Sequence, residues 1–260
     1  MGRDLSRLKE EAAVRIVNPL RKQEAGLRQS LLSGMLGCLR HNFNRGQETL
    51  KLFELADTYG VEKNGFLETP SLALASAGIS QDFFLLKGSV ESLMKSLNIE
   101  DYCFQESSRD NFTNSLTICA GRDILGFLGK LNQTVKKDFD LKGEVFFAQI
   151  DLASLRKKSS QAGFKPFSVY PAVSRDISIF LNRDVGFKEI EKIIRSKVNY
   201  LSDFKVVDIY KGKDVPKEQI AFTLRIFYRS QEKTLSSLEV DSFHNDIRKT
   251  LISHRGVVLR

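Results

Sequence analysis

YPAVSRDISIFL at residues 170–181 opens the stretch that decides the fold; LSDFKVVDIYKG at 201–212, FTLRIFYRSQEKTLSSLEVDSFHNDIRKTL at 222–251 and GVVLR at 256–260 complete it. Asp176-Ile177-Ser178-Ile179-Phe180-Leu181 alternates with the period of a half-buried strand. Phe187 to Val198 puts Ile190, Ile193 and Ile194 on one side of a helix. Phe204 to Tyr210 reads as a second strand, Lys211 to Glu218 as a turn with Gly and Pro, and Ile220 to Tyr228 as a third strand. Ser236 or Ser237 suits a helix N-cap, with Leu238, Phe243, Ile247 and Leu251 expected inward as the helix runs to about Ile252. Gly256 to Arg260 closes as a strand. The order β-α-β-β-α-β is the split βαβ, ferredoxin-like arrangement. Many functions use that topology, so it identifies none of them.

Working outward, RKKSSQAGF at 156–164 reads as a basic, Ser-rich linker. Upstream of it, Ala12 to Val17 reads as a short strand stopped by Asn18-Pro19. Leu27, Leu31, Met35 and Leu39 recur every four residues, with Leu32, Leu36 and Phe43 beside them, and predict one helix ending near Asn44-Arg45-Gly46. Such a wide apolar stripe fits a buried helix, or one partly committed to another subunit. Leu50 to Gly60, a turn at Lys63-Asn64-Gly65 and Ser71 to Ala75 predict a hairpin. Leu86 to Leu97 is an amphipathic helix; Tyr102–Glu106, Leu116–Ala120, Ile124–Lys130 and Glu144–Leu152 are strands, and Val135–Asp138 is a short helix. The expected division is residues 1–160 and residues 165–260, the first an α+β domain on a mostly antiparallel sheet.

The length of 260 residues agrees with two domains at roughly 100–200 residues each. Hydrophobic residues make up 42%, enough for real cores. No run approaches the ~18 apolar residues of a membrane span, and the charged start MGRDLSRLKEEAAVR has no apolar signal core. Cys38, Cys103 and Cys119 are odd in number and far apart, so reduced cytosolic thiols are expected. Residues 163–260 hold 18 Lys/Arg against 12 Asp/Glu, most of the chain's net +8, which favours a polyanionic partner.

The patterns of catalysis fail. His41, His244 and His254 are isolated and no H-E-x-x-H occurs, so no metal ligand set is expected. Gly121 to Lys130 is glycine-rich, but Lys130 is followed by Leu131 rather than Ser or Thr, which excludes a Walker loop. No G-x-S-x-G is present. A binding or assembly protein is expected, with no catalytic residue of its own.

Tyr170-Pro171, Arg175-Asp176, Asp208-Ile209-Tyr210-Lys211-Gly212, Arg229-Ser230, Thr234-Leu235 and Glu239-Val240 follow in an order and spacing that resembles the ferredoxin-fold anticodon-binding domain of phenylalanyl-tRNA synthetases, over residues 165–260. One departure is Ala221, where the family usually has a serine able to touch RNA. VRIVNPL (14–20), LRQSLLSGMLGCLRHNFNRG (27–46) and LKLFELADTYG (50–60) resemble the bacterial beta chain's non-catalytic class II synthetase-like core, carried by Arg28-Gln29-Ser30-Leu31-Leu32, Asn44-Arg45-Gly46 and Leu52-Phe53-Glu54. The resemblance implies that a catalytic alpha chain would place an ATP-holding arginine where Gly60 follows Thr58-Tyr59. Adenylation needs fixed cations on the triphosphate, so no activation of an amino acid is expected here.

The same resemblance implies a fold class of α+β, a class II synthetase-like antiparallel domain followed by a ferredoxin-like βαββαβ domain. It implies tRNA contacts from Tyr170, Arg175, Ser178, Tyr210, Arg225, Tyr228, Arg229 and Arg248. The arginines would neutralise phosphates with a salt-dependent affinity, unless they serve local ion pairs. The tyrosines would stack on unpaired bases, unless they belong to the core. Asp208 is expected to order the turn at Gly212. Implied partners are tRNA(Phe) and the synthetase alpha chain in an alpha2-beta2 heterotetramer in the cytoplasm. ATP, Mg²⁺ and phenylalanine would be used in the alpha chain, with no cofactor bound by this segment. Whole beta chains carry further segments, a tRNA-binding module and an editing site, so a fragment, an engineered piece or a short gene product is expected. The alternative is a stand-alone RNA-binding or regulatory protein derived from the beta chain.

Overall fold

The computed structural model describes residues 14–19, 26–62, 65–160, 168–197, 200–212 and 214–259. The chain separates into two compact units, Met1–Gly163 and Phe164–Arg260.

In the first unit, α1 (Leu32–Phe43) is followed by the hairpin strands β1 (Thr49–Glu62) and β2 (Gly65–Gly78), then α2 (Phe83–Ser96), β3 (Tyr102–Ser107), β4 (Phe112–Ala120), β5 (Asp123–Leu131), α3 (Gln133–Asp138), β6 (Val145–Asp151) and α4 (Leu152–Lys158). The sheet order is β1-β2-β6-β5-β4-β3, with every neighbour antiparallel. β2 shows how the two faces are divided: Ala73, Ala75 and Ala77 lie under the large side chains of α1, while Leu72 and Leu74 face α2 and α4. Small residues on one face let the Leu31-Leu32-Met35-Leu36-Leu39 stripe approach the sheet closely. On the other face Leu86, Val90 and Met94 of α2 pack on Ile118, Leu128 and Ile150.

The helix expected from Leu27 starts at Leu32, because Ser30 Oγ and the Leu31 N–H both donate to Gln149 Oε1 of β6 and Leu32 N–H donates to Ser30 Oγ. Those bonds hold residues 30–31 as an anchor before the first turn. The Val14–Val17 segment forms an isolated antiparallel bridge, Arg15 with Gly26, and no longer strand among the described residues; Ala12 and Ala13 lie outside them. Glu62 pairs with Gly65 where the hairpin turn was expected, with Lys63 and Asn64 outside the described residues. Arg156, Lys157 and Lys158, read as linker, are the last turn of α4, which Asp151 caps through the N–H groups of Ala153 and Ser154. Their charge at a helix C-terminus is favourable. Residues 161–164 of the expected linker are outside the described set.

The second unit contains β7 (Val173–Asn182), α5 (Phe187–Lys197), β8 (Leu201–Tyr210), β9 (Gln219–Tyr228), α6 (Ser237–Ser253) and β10 (Val257–Leu259). Its antiparallel sheet has the order β10-β7-β9-β8, which is the split βαβ topology. Ile177, Ile179 and Leu181 of β7 and Leu224, Ile226 and Tyr228 of β9 meet Ile190 and Ile194 of α5 and Val240, Ile247 and Leu251 of α6. α6 opens with a complete capping box: Glu239 N–H donates to Ser236 Oγ, and Ser236 N–H donates to Glu239 Oε2. The Glu239 carboxyl is pulled down to about 2, first by the hydrogen bond from Lys233 and then by those from Ser236. That N-cap fixes the helix phase. Positions 240, 244, 247 and 251 face the sheet, and Leu238, two residues before Val240, points the other way at 83% exposure. The inward reading of Leu238 is therefore corrected: Val240 and His244 take the places beside Ile247 and Leu251.

Candidate nucleic-acid interface

The β7–β9 ladder sorts the second unit's side chains into two faces. Arg175↔Ile226, Ile177↔Leu224 and Ile179↔Phe222 alternate with Ser174↔Phe227, Asp176↔Arg225, Ser178↔Thr223 and Phe180↔Ala221. The first set carries the core beneath α5 and α6. Side chains alternate along a strand, so the second set forms the face turned away from both helices. β8 adds Lys205 beside Arg225, Asp208 beside Thr223 and Tyr210 beside Ala221; the register shift between Val206 and Asp208 keeps all three on this face. β10 adds Val258 beside Phe180.

Three rows result. Tyr210, Ala221, Phe180 and Val258 make an apolar and aromatic row across all four strands. Ser178 and Thr223 make a hydroxyl row, their oxygens 3.1 Å apart, with Asp208 at its end. Lys205, Arg225 and Asp176 make a charged row, in which Arg225 Nε and Nη2 donate to the two Asp176 oxygens at 2.8 Å each. Hydrogen bonding from Arg225 holds the Asp176 carboxyl below the usual range, and Asp176 in turn holds the guanidinium above its own. Lys205 Nζ lies 5.7 Å from the Phe227 ring centroid on the same face. The cations of this face are matched by Asp176, Asp203 and Asp208. The unit's positive excess is therefore carried around the face and not by it.

Ala221 is 4% exposed although it sits on the helix-free face, because Phe180 and Tyr210 flank it. A serine hydroxyl at that position would be sheltered, so its absence removes little that a ligand could reach. Gly212 explains the Asp-x-Tyr-x-Gly spacing. A Cβ built on Gly212 would lie 2.0 Å from Tyr210 Oη and 2.1 Å from Cζ, so the ring lies over the glycine backbone. Asp208 was expected to order this turn; no hydrogen bond joins its side chain to Gly212 among the described residues, and the glycine serves to make room for the ring.

The eight residues expected at an RNA site are scattered. Ser178, Tyr210 and Arg225 share the helix-free face, with Tyr210 39% exposed. Arg175 lies on the opposite face and serves an ion pair with Asp241 of α6 at 2.9 Å. Arg248 is exposed on α6. Arg229 is exposed just after β9, its backbone N–H bonded to Tyr200 O, and has no carboxylate within ion-pair range among the described residues. Tyr170 is half-buried before β7, its N–H bonded to Ser168 Oγ. Tyr228 is a correction: it is 0% exposed, with its hydroxyl 3.0 Å from His244 Nδ1, and burial pushes its phenol pKa up. A ring wholly inside the core has no face to offer a base. Phe180, Thr223 and Lys205, not among the residues expected from sequence, stand on the same face. Strand parity was the available signal, since Phe180 is two residues from Ser178 and four from Asp176.

In the first unit Arg28 is engaged internally: Nε donates to Asp57 O at 2.8 Å and Nη1 pairs with Glu54 at 3.1 Å. Space around Gly60 is open, with nothing within 4 Å of a built Cβ. The glycine-rich stretch is strand β5, where a Cβ at Gly126 would lie 2.2 Å from Gln149 O and one at Gly129 2.7 Å from the Phe112 ring. Those glycines permit backbone and ring packing and cradle no phosphate.

The family model for the phenylalanyl tRNA synthetase beta chain CLM domain matches residues 3–152. The chain belongs to the phenylalanyl-tRNA synthetase beta-chain family. The model for the ferredoxin-fold anticodon binding domain matches residues 168–260. Among curated relatives of the family, the phenylalanine–tRNA ligase beta subunit of Syntrophotalea carbinolica is 29% identical over 95% of this chain and 33% of its own length. That of Trichormus variabilis is 31% identical over 96% of this chain and 34% of its own. The chain thus spans about a third of the beta subunits it matches. Among solved structures, a pyrrolysyl-tRNA synthetase of Desulfitobacterium hafniense aligns with TM-score 0.48 and 14% identity over 61% of this chain and 59% of its own, too distant to inform the site. Where the resemblance implied an ATP-holding arginine in a catalytic chain, this chain has Gly60 in open space, and the nearby Arg28 is paired with Glu54. No three His, Cys, Asp or Glu side chains converge on a metal position among the described residues.

Proposed function

We propose that the second unit holds the anticodon stem-loop of tRNA(Phe) on its helix-free sheet face, as the binding module of a phenylalanine–tRNA ligase beta chain. Residues 1–160 act as a non-catalytic, synthetase-like scaffold that docks on the alpha chain, and residues 165–260 as the anticodon-binding domain. The whole enzyme is an alpha2-beta2 assembly of the cytoplasm that uses ATP, Mg²⁺ and phenylalanine in its alpha chain. The observation that carries this reading is the ordered trio of rows on one face. Unpaired bases are bound by stacking on rings, with hydrogen bonds to their edges and cations on the backbone.

Phe180 and Tyr210 supply ring faces, with Ala221 as the low floor between them. Ser178 and Thr223 already exchange one hydrogen bond and can turn their remaining capacity to a base edge. Arg225 reaches a phosphate by giving up Asp176, a solvent-exposed exchange of one anion for another. Stacking thus carries the affinity and the charged row orients the backbone. This division predicts a shallower salt dependence than the unit's net charge suggests.

The test is titration of the full chain with a tRNA(Phe) transcript at several salt concentrations, with the alpha chain present and absent. Saturable binding to the chain and co-purification with the alpha chain support the reading. RNA binding without alpha-chain association would favour the stand-alone RNA-binding protein, and loss of neither association with Phe180→Ala and Tyr210→Ala would remove the face from the account.

A further inference from the structure

Cys103 of β3 and Cys119 of β4 are direct cross-strand partners. Opposed residues of an antiparallel pair have Cα atoms about 4.5 or 5.5 Å apart, depending on pair type. Both spacings fall inside the roughly 4.4–6.8 Å that a disulfide spans. The flanking pairs Tyr102↔Ala120 and Phe104↔Ile118 turn toward the α2/α4 core, so both sulfurs leave the sheet on the other face, side by side. Their environments differ. Cys119 is 7% exposed, whereas Cys103 is half-buried and reachable from solvent, with Gln105 Nε2 donating to its Sγ at 3.6 Å. The third cysteine, Cys38, is exposed on α1 and has no such cross-strand partner.

We propose that Cys103 and Cys119 are an oxidation site that closes to a cross-strand disulfide on contact with a peroxide. Cys103 sulfur attacks one peroxide oxygen, the O–O bond breaks, and one oxygen leaves as water while the other remains as sulfenic acid. Cys119 sulfur then attacks Cys103 sulfur, the S–O bond breaks, and a second water leaves. The two thiols lose two electrons and two protons in all, and the peroxide gains them. The reachable thiol is the one that meets the oxidant, and the sheltered neighbour resolves the sulfenic acid before it oxidises further. The product ties β3, a strand of six residues that among the described residues pairs only with β4, to the rest of the sheet.

Hydrogen peroxide applied to the folded full chain, followed by unfolding and alkylation without reductant, tests the site. The expected product has lost the mass of two hydrogens, carries one alkylated cysteine at Cys38, and yields a peptide joining Cys103 to Cys119. Dithiothreitol restores three alkylated thiols. Cys103→Ser keeps Cys119 alkylatable after the same treatment, and Cys38→Ser retains the cross-link with no alkylated thiol left. Three alkylated cysteines, a link through Cys38, or Cys103 recovered as sulfinic acid would overturn the proposal.

Discussion

Phe180 on β7 and Tyr210 on β8 stand in one row of the helix-free sheet face, with Ala221 of β9 between them. The two rings are an array that neither strand could present alone. Phe180→Ala and Tyr210→Ala should each weaken tRNA(Phe) binding by about 5- to 150-fold, the ~1–3 kcal/mol that one stacked base contributes. Tyr228→Phe, inside the core, should leave affinity unchanged. Filter-binding isotherms at fixed salt separate these outcomes, and equal losses at all three positions would sink the assignment.

Gly212→Ala should mimic Tyr210→Ala. The new methyl has to occupy the place of the Tyr210 phenol, so the ring must move while the turn stays formed. Because both changes remove one ring, the double variant should bind no worse than either single one. Additive losses would show that Gly212 acts by another route.

Arg225 and Arg175 should behave differently despite their similar place in the strands. Arg225→Gln removes a cation from the helix-free face and should lower affinity and flatten the salt slope. Arg175→Gln breaks the exposed ion pair with Asp241 of α6 and the hydrogen bond from its Nη1 to Ser174 O, both away from the helix-free face; it should leave binding intact and cost about 1 kcal/mol of stability. Denaturant titration and RNA binding on the same samples check both halves.

Acid should weaken the second unit through His244. Burial pushes this imidazole below its ordinary pKa, with Arg248 and Arg175 acting in the same direction; a hydrogen bond to the Asp176 backbone and the charge of Asp241 oppose them. The folded state therefore binds fewer protons than the unfolded chain. Stability is fully present above the unfolded value of about 6.5 and is lost as pH falls from there toward the folded value. A thermal melt series from neutral to acid pH should show the decline, and His244→Gln should flatten it. A melting temperature that rises on acidification contradicts the sign.

Ser236→Ala should destabilise α6 by ~1 kcal/mol, since the capping box loses its side-chain acceptor. Far-UV circular dichroism during urea unfolding reads the change, and an unaltered midpoint would mean the cap contributes nothing.

Much of the fold was legible because the signals are local. The alternation at Asp176–Leu181, the N-cap at Ser236 and the isoleucines of α5 each declare themselves within a few residues. Helix phase was not legible, because Leu238 and Val240 are equally apolar and only the cap geometry chooses between them. The start of α1 depends on Gln149, more than a hundred residues away. The candidate face was half legible. Arg225 and Tyr210 are conspicuous residue types, but Tyr228 looks the same in sequence as Tyr210, and only the register turns one inward and the other outward. Phe180 was passed over because a phenylalanine in a strand reads as core until its partner is known.

Backbone amide shifts of the full chain, followed as an anticodon stem-loop of tRNA(Phe) is added, test the central claim most directly. Perturbations centred on Ser178, Phe180, Thr223 and Tyr210, with Asp241 to Arg248 of α6 unmoved, are the predicted result. Perturbations confined to α5 and α6 would place the RNA on the opposite face and contradict it.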